Sequence, residues 1–444
     1  MTESITKPPV EKSRVIDAVP FNYGWVVLIV GTLGAIMSSP GQTYSVSIFI
    51  EEFIRDLGLS RSLVSTLYAV GTVTASLTLP FVGRQIDRRG PRLMVVVIAL
   101  AFGLVCIYMG TVQNGFMLLL GFIGIRMLGQ SSITMVSRYI INQWWVKRRG
   151  TVIGIGLLFS SVLGPGSFPP LINWLIPQYG WRVTYPMLGV LIICTMVPLG
   201  YIFFRRNPES FGLLPDGEEK REEREEKRKG SSEEGVPIST PIASDPIEEN
   251  WTLAEVIRTY TFWLIAIGMG SMGALGTGLT FHIVSIFADS GLSSNLAASV
   301  FLPMSLTNAL ISVVSGYLID RYPTKYLLST ALFFQVVSLL VAPFLFSTLI
   351  AFAYGVWRGV GNGITNSIRN TVWANYYGRE NLGTISGMTS TIGAFSSGLG
   401  PIIFGVGRDL TGGYIWPLFL SAIVPLVLAI MVLFLKRPSR ADIQ

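Results

Sequence analysis

Four arginines and one histidine are the ionisable side chains enclosed by the long apolar tracts of this 444-residue chain: Arg126, Arg138, Arg358, Arg369 and His282. No aspartate or glutamate lies among them, with the tracts bounded as below. A charge in such a setting is expensive and marks a functional site unless something else explains it. Arg126 falls about ten residues, and Arg358 about eleven, into their tracts, roughly 15 Å deep at 1.5 Å per residue. Arg138 and Arg369 sit near the far ends, where long side chains snorkel to the surface, and they read as structural. A guanidinium presents a planar fork of donors that matches a carboxylate. Two of them at matching depth, without a counterion, point to an anionic ligand. Gln130 and Asn362 stand one turn further on; with Asn308, Asn366, Tyr44 and Gln42 they complete the candidate binding set. His282 would act as a ligand or proton relay, or else as a satisfied gating residue. Each midplane arginine also has a competing role, capping the carbonyls of a broken helix.

Other chemistries lack their residues. One histidine and two cysteines, Cys106 and Cys194 in separate tracts, provide neither a metal cluster nor a disulfide framework. Paired carboxylates and a nucleophile beside a base are missing too, so neither an enzyme nor a cofactor is expected. Hydrophobic residues make up 50 % and charged residues 13 % of the chain, whereas a soluble chain is about one-quarter charged. The mean hydropathy is +0.55. This composition describes an integral, multi-pass membrane protein whose outer surface meets lipid. The net charge of +7 then reflects basic residues gathered at one membrane face, not a nucleic-acid partner.

A hydrocarbon core of roughly 30 Å takes about 20 apolar residues per helix. Six such tracts run over 22–48, 62–82, 92–112, 116–142, 151–175 and 183–204, and six more over 260–288, 295–318, 326–345, 347–373, 382–407 and 415–435. The first reads as a retained helix and not a cleaved leader. The expected fold is all-α, with twelve transmembrane helices in two six-helix bundles. Residues 1–21 form a tail, 22–204 the first bundle, 205–259 a charged linker, 260–435 the second bundle and 436–444 a second tail. Within the linker, Asp216 to Glu234 alternates in charge as a solvated segment does. Basic residues crowd alternate loops: Arg84, Arg88, Arg89 and Arg92, then Lys147, Arg148 and Arg149, then Arg321 and Lys325. The opposite loops hold only Arg55, Arg61, Arg182 and Arg408. This bias places both termini in the cytoplasm.

The two halves repeat each other. Gly83-Arg-Gln-Ile-Asp87-Arg88-Arg-Gly90-Pro-Arg92 follows the second tract, and Gly316-Tyr-Leu-Ile-Asp320-Arg321 follows the eighth. Arg126-x-x-Gly129-Gln130 matches Arg358-x-x-Gly361-Asn362, and Arg138 matches Arg369. Gly150-Thr151 pairs with Gly383-Thr384, and Gly164-Pro165 with Gly400-Pro401, where kinks are expected. Duplicated bundles of this kind hold a substrate between the halves near the midplane and rock to expose it on one side at a time.

On these residues the chain resembles the major facilitator superfamily, the G-x-x-x-D-R-x-G-x-R loop being that superfamily's signature. The resemblance implies a conformational latch made by Gly83, Asp87, Arg88, Gly90 and Arg92 with Gly316, Asp320 and Arg321, and a carrier acting as a monomer. The first half is similar to the monocarboxylate porter and oxalate–formate exchanger branch. That similarity rests on Tyr23-Gly24-Trp25, Tyr44-Ser-Val-Ser-Ile-Phe49, Leu57-Gly58-Leu59-Ser60-Arg61-Ser62, Trp145-Val-Lys147-Arg148-Arg149-Gly150 and Gly180-Trp181-Arg182. The branch implies transport of small carboxylates, driven by protons or by a counter-anion. Animal members carry an acidic residue where this chain has Asn22, a lysine where it has Tyr44, and an Asp and Arg where it has Asn308 and Ser312. The competing readings are a carrier of drugs, sugars or amphipathic compounds, and a membrane sensor that transports nothing.

Overall fold

The computed structural model describes residues 13–145, 149–215, 251–378, 381–436 and 438. Residues 1–12, the Asp216–Glu234 run and most of the C-terminal tail lie outside them. The first half holds α1 (Gly24–Leu57), α2 (Arg61–Arg89), α3 (Pro91–Met109), α4 (Gly115–Trp144), α5 (Val152–Tyr179) and α6 (Trp181–Phe203). The second holds α7 (Tyr260–Phe281), α8 (Ser294–Ile319), α9 (Thr324–Phe344), α10 (Thr348–Tyr377), α11 (Leu382–Thr411) and α12 (Ile415–Leu433). Among the described residues eleven helices are long and apolar enough to cross a membrane. The remaining span, α10, is 30 residues long but carries Arg358, Asn362, Asn366 and Arg369.

Packing repeats with the sequence. In the first half α3 lies on α6, α2 on α4 and α1 on α5; in the second α9 lies on α12, α8 on α10 and α7 on α11. The halves meet along two crossed pairs, α2 with α11 and α5 with α8. Side chains such as Leu77, Phe116, Leu349 and Leu410 face outward. In water so continuous an apolar surface would drive association; lipid solvates it.

Helix ends follow local chemistry. Ser60 accepts from the Leu63 amide to start α2, and Asn114 from the Met117 amide to start α4. Thr259 and Ser293 do the same for α7 and α8. The α1–α2 and α7–α8 turns each carry a left-handed glycine, Gly58 at φ +63° and Gly291 at φ +74°, which a Cβ would strain.

Several boundaries differ from the hydropathy reading. The helix of α1 continues to Leu57, because Val46, Phe49, Ile50 and Phe53 keep one buried face where mean hydropathy falls. Glu51, Glu52 and Asp56 therefore belong to that span, and Glu51 binds Arg61 through both carboxylate oxygens at 2.7 and 2.8 Å. The segments Gly83–Arg89 and Gly316–Arg321 are helical and not loop. Gly164–Pro165 does divide α5, into Arg149–Leu163 and Phe168–Tyr179. Around Gly400–Pro401, in contrast, α11 runs on unbroken. A Cβ built on Gly400 would fall 1.8 Å from the Ala274 carbonyl oxygen, so α7 grips this stretch of α11 along its backbone.

Candidate functional site

A cavity of about 270 Å³ opens inside the second half. The bare backbone of Gly273 and Gly276 on α7 forms one wall, Phe334 and Gln335 of α9 another, and Asn308 of α8 a third. From α10, Arg358, Asn362, Thr365, Asn366 and Arg369 point in at helical spacing, and Thr43 of α1 closes the side toward the first half. Two guanidiniums line this space and no carboxylate does so among the described residues.

Arg358 is only 4 % exposed. Its Nη2 donates to the Gly276 carbonyl at 3.1 Å and to Thr280 Oγ1 at 3.0 Å, while its buried Nη1 has no partner. A Cβ at Gly276 would meet only Gln335 Oε1, 3.9 Å away. A buried cation with a free donor is unfavourable when alone. Its arrangement is chemically suited to accept an anion.

Arg126 does something different. It is 1 % exposed and lies outside the cavity wall. Its Nε donates to Thr72 Oγ1 at 3.0 Å and its Nη1 to the Gly41 carbonyl at 3.2 Å, with Thr43 Oγ1 at 3.4 Å. Its guanidinium lies 4.7 Å from the Tyr68 ring centroid, and Tyr68 in turn donates to Thr43 at 2.7 Å. Gly41 ends a 3₁₀ turn, Ser39–Gly41, that interrupts α1, and Arg126 opens a π-helical stretch, Ile125–Ile133, in α4. Such irregular turns free backbone carbonyls, and this guanidinium satisfies one of them. Of the expected pair of symmetry-related arginines, Arg358 lines the cavity and Arg126 does not.

The other expected residues divide in the same way. Asn308, Asn362 and Asn366 line the cavity, and Asn366 Nδ2 donates to Asn308 Oδ1 at 3.1 Å. Gln42 binds Ser38 at 3.0 Å and Tyr44 binds Ser39 at 2.9 Å, both beside the α1 break. Gln130 Oε1 is buried without a partner in the first half. Gln335, whose buried Nε2 is also unpartnered, was not anticipated, nor were Thr280 and Thr43. A lone amide in an apolar helix carries no motif; only the meeting of α9 with α10 singles it out.

His282 lies outside the cavity wall. Its Nε2 lies 2.9 Å from the Pro401 carbonyl and its Nδ1 3.0 Å from Tyr414 Oη. A carbonyl can only accept, so Nε2 bears the proton and the tyrosine hydroxyl donates to Nδ1. Ser65 of α2 approaches the same Nε2 at 3.5 Å. His282 therefore belongs to a seam that joins the halves at the end away from the chain termini. The Ser62 amide donates to Asp409 there at 2.9 Å, Asn173 donates to Asn295, and the rings of Tyr68 and Phe281 lie 4.5 Å apart. At the opposite end Arg138 and Arg369 are exposed, and the space above Gly154, Gly316 and Gly387 is open. Two of the signature arginines there make contacts within their own halves: Arg92 donates to the Tyr201 carbonyl at 2.6 Å and Arg321 covers Tyr317 at 4.2 Å, while Arg206 donates to the Asp87 carbonyl at 3.1 Å. The Asp320 side chain lies outside the described ones.

Comparison with known proteins agrees with this architecture. Residues 31–401 match the Major Facilitator Superfamily. The chain is 21 % identical to the benzoate transport protein of Acinetobacter baylyi, covering 95 % of this chain and 91 % of that one. It is 21 % identical to monocarboxylate transporter 2 of Rattus norvegicus, covering 91 % and 81 %. A probable L-galactonate transporter of Escherichia coli is 28 % identical, although only 36 % of this chain and 34 % of that protein align. Among solved structures, a bacterial homologue of the human lysosomal transporter Spinster, in an inward-facing and occupied conformation, superposes with a TM-score of 0.66 at 16 % identity, over 93 % of this chain and 96 % of that one. By family profile and fold together, the chain belongs to the Major Facilitator Superfamily and is a multi-pass membrane transporter, not an enzyme.

Proposed function

We propose that this transporter carries small organic anions, monocarboxylates foremost, by alternating access, as a monomer with both termini in the cytoplasm. The carrying observation is Arg358, a cavity-lining cation whose buried Nη1 has no partner, in a wall without a carboxylate among the described residues. Relatives named for benzoate and for monocarboxylates support the same class. Because no acid lines the cavity among the described residues, exchange of one anion for another suits the site better than proton symport. The signature-loop charges serve as a latch when the cytoplasmic end closes.

The test is uptake of labelled benzoate and lactate into proteoliposomes. Arg358→Gln should lower it at least tenfold, equivalent to about 1.4 kcal/mol, and Arg358→Lys should retain more than Gln. Preloading with unlabelled substrate should accelerate uptake. Undiminished uptake by Arg358→Gln, or equal uptake of the neutral amides, would reject the anion reading.

A further inference from the structure

Two residues that line the cavity each carry a buried donor without a partner, and both residues approach Gly276 of α7. Arg358 Nη2 is anchored on the Gly276 carbonyl, which leaves Nη1 free. Gln335 Oε1 lies 3.9 Å from where a Cβ on Gly276 would stand, and its Nε2 is the second free donor. One donor comes from α10 and one from α9, beside a stretch of α7 that brings the backbone of Gly273 and Gly276 to the cavity wall. Two unpartnered N–H donors in one cavity wall, one of them cationic, match in number the two oxygens of a single carboxylate.

The rest of the wall then has to meet whatever that carboxylate is attached to. Phe334, Met272 and Ala331 are apolar, but Thr277, Asn308, Asn362, Thr365 and Asn366 are not. Hydroxyls and amides of this kind both donate and accept. An alkyl or plain aryl tail would strip their water without replacing its hydrogen bonds, and buried polar groups left unpaired are penalised. Hydroxyl groups on the ligand would replace them. The cavity volume equals the share of about nine waters at roughly 30 Å³ each, which is more than a three-carbon acid requires.

We propose that the substrate is a hydroxylated carboxylate, its carboxylate seated between Arg358 Nη1 and Gln335 Nε2 and its hydroxyls facing Asn308, Asn362 and Asn366. This rests on the anion reading above and goes further by specifying the tail. Binding to the purified full-length carrier separates the two. The probes are glycerate and gluconate (hydroxy acids), propionate and hexanoate (plain acids), and glycerol and glucitol (neutral polyols), followed by calorimetry and thermal shift. At least one hydroxy acid should bind tenfold or more tighter than both the plain acid and the polyol of its length. Gln335→Leu and the isosteric Gln335→Glu, whose carboxylate would occupy the seat beside Arg358, should each weaken that acid at least tenfold. Asn362→Leu should erase the preference over the plain acid while leaving the plain acid's own affinity. The melting of each variant without ligand shows that it is folded. Plain acids binding as well as hydroxy acids would overturn this proposal and leave the anion reading standing. Polyols binding as well as the acids would overturn both. Failure of both hydroxy acids to bind, or wild-type affinity in a folded Gln335 variant, would overturn the carboxylate seat.

Discussion

Arg126 and Arg358 occupy equivalent places in the repeat yet do opposite work. The difference lies in what each guanidinium touches. Arg126 spends its donors on Thr72, the Gly41 carbonyl and Thr43, and its face on Tyr68. Arg358 keeps one donor unspent beside a cavity. Hydrogen bonds from a charged group contribute about 1.5–3 kcal/mol each. Arg126→Met should therefore destabilise the detergent-solubilised protein by about 2 kcal/mol or more, visible as a lower melting temperature. Arg358→Met gives up two hydrogen bonds but also removes a buried donor that has no partner; it should lower the melting temperature less than Arg126→Met does, while binding is lost. A larger melting loss for Arg358→Met than for Arg126→Met would contradict this division of labour. Residue type and register alone could not separate the two, since both halves read R-x-x-G followed by an amide.

At the scale of elements, the spans are defined by departures from regular helix as much as by their length. The 3₁₀ turn in α1, the π-helical stretch of α4, the division of α5 and the bend at His282 after α7 each place a carbonyl or a polar side chain where a straight helix would hide it. Hydropathy is blind to them because it averages over windows longer than one turn. Close backbone approach is another such feature. With 1.8 Å between a Cβ on Gly400 and the Ala274 oxygen, Gly400→Ala must force α11 away from α7. Overpacking of this sort costs about 1–3 kcal/mol. Nothing lies within 4 Å of a Cβ on Gly387 in the same helix, so Gly387→Ala should be close to neutral. Thermal melting of the two variants side by side checks the contrast; equal gains in both, which alanine's better helix propensity alone would give, would mean that packing does not govern this stretch of α11.

For the whole molecule, the halves are drawn together at one end and apart at the other. His282, Ser65, Tyr414 and the Pro401 carbonyl form part of the closed seam. A Cβ on Gly405 of α11 would fall 2.5 Å from Ser65 Oγ across it. Gly405→Leu should wedge α2 from α11 and shift the population toward opening at the end away from the termini. In a background with Cys106 and Cys194 replaced, a cysteine at the buried Ser65 position reports this directly. Its labelling by a hydrophilic maleimide should speed up several-fold when Gly405→Leu is added. An unchanged rate would show that the seam is not what keeps this end shut.

Much of this was written in the order of residues. Stretches of apolar side chain long enough to cross a bilayer, basic residues in alternate loops and a motif repeated in both halves follow from lipid solvation and gene-length symmetry, and they are local properties. The sequence also places Arg358, Asn362 and Asn366 on one helical face, because a spacing of four residues is a property of the helix alone. What needed the tertiary structure was the partner of each polar group. Whether Arg126 is a ligand or a fastening, whether His282 faces cargo or a seam, and whether Gln335 matters at all depend on which helices meet, at what distance and over which glycines. Those contacts are set by side-chain packing between segments far apart in the chain, and pairwise proximity of that kind leaves no trace in the spacing of residues within any one of them.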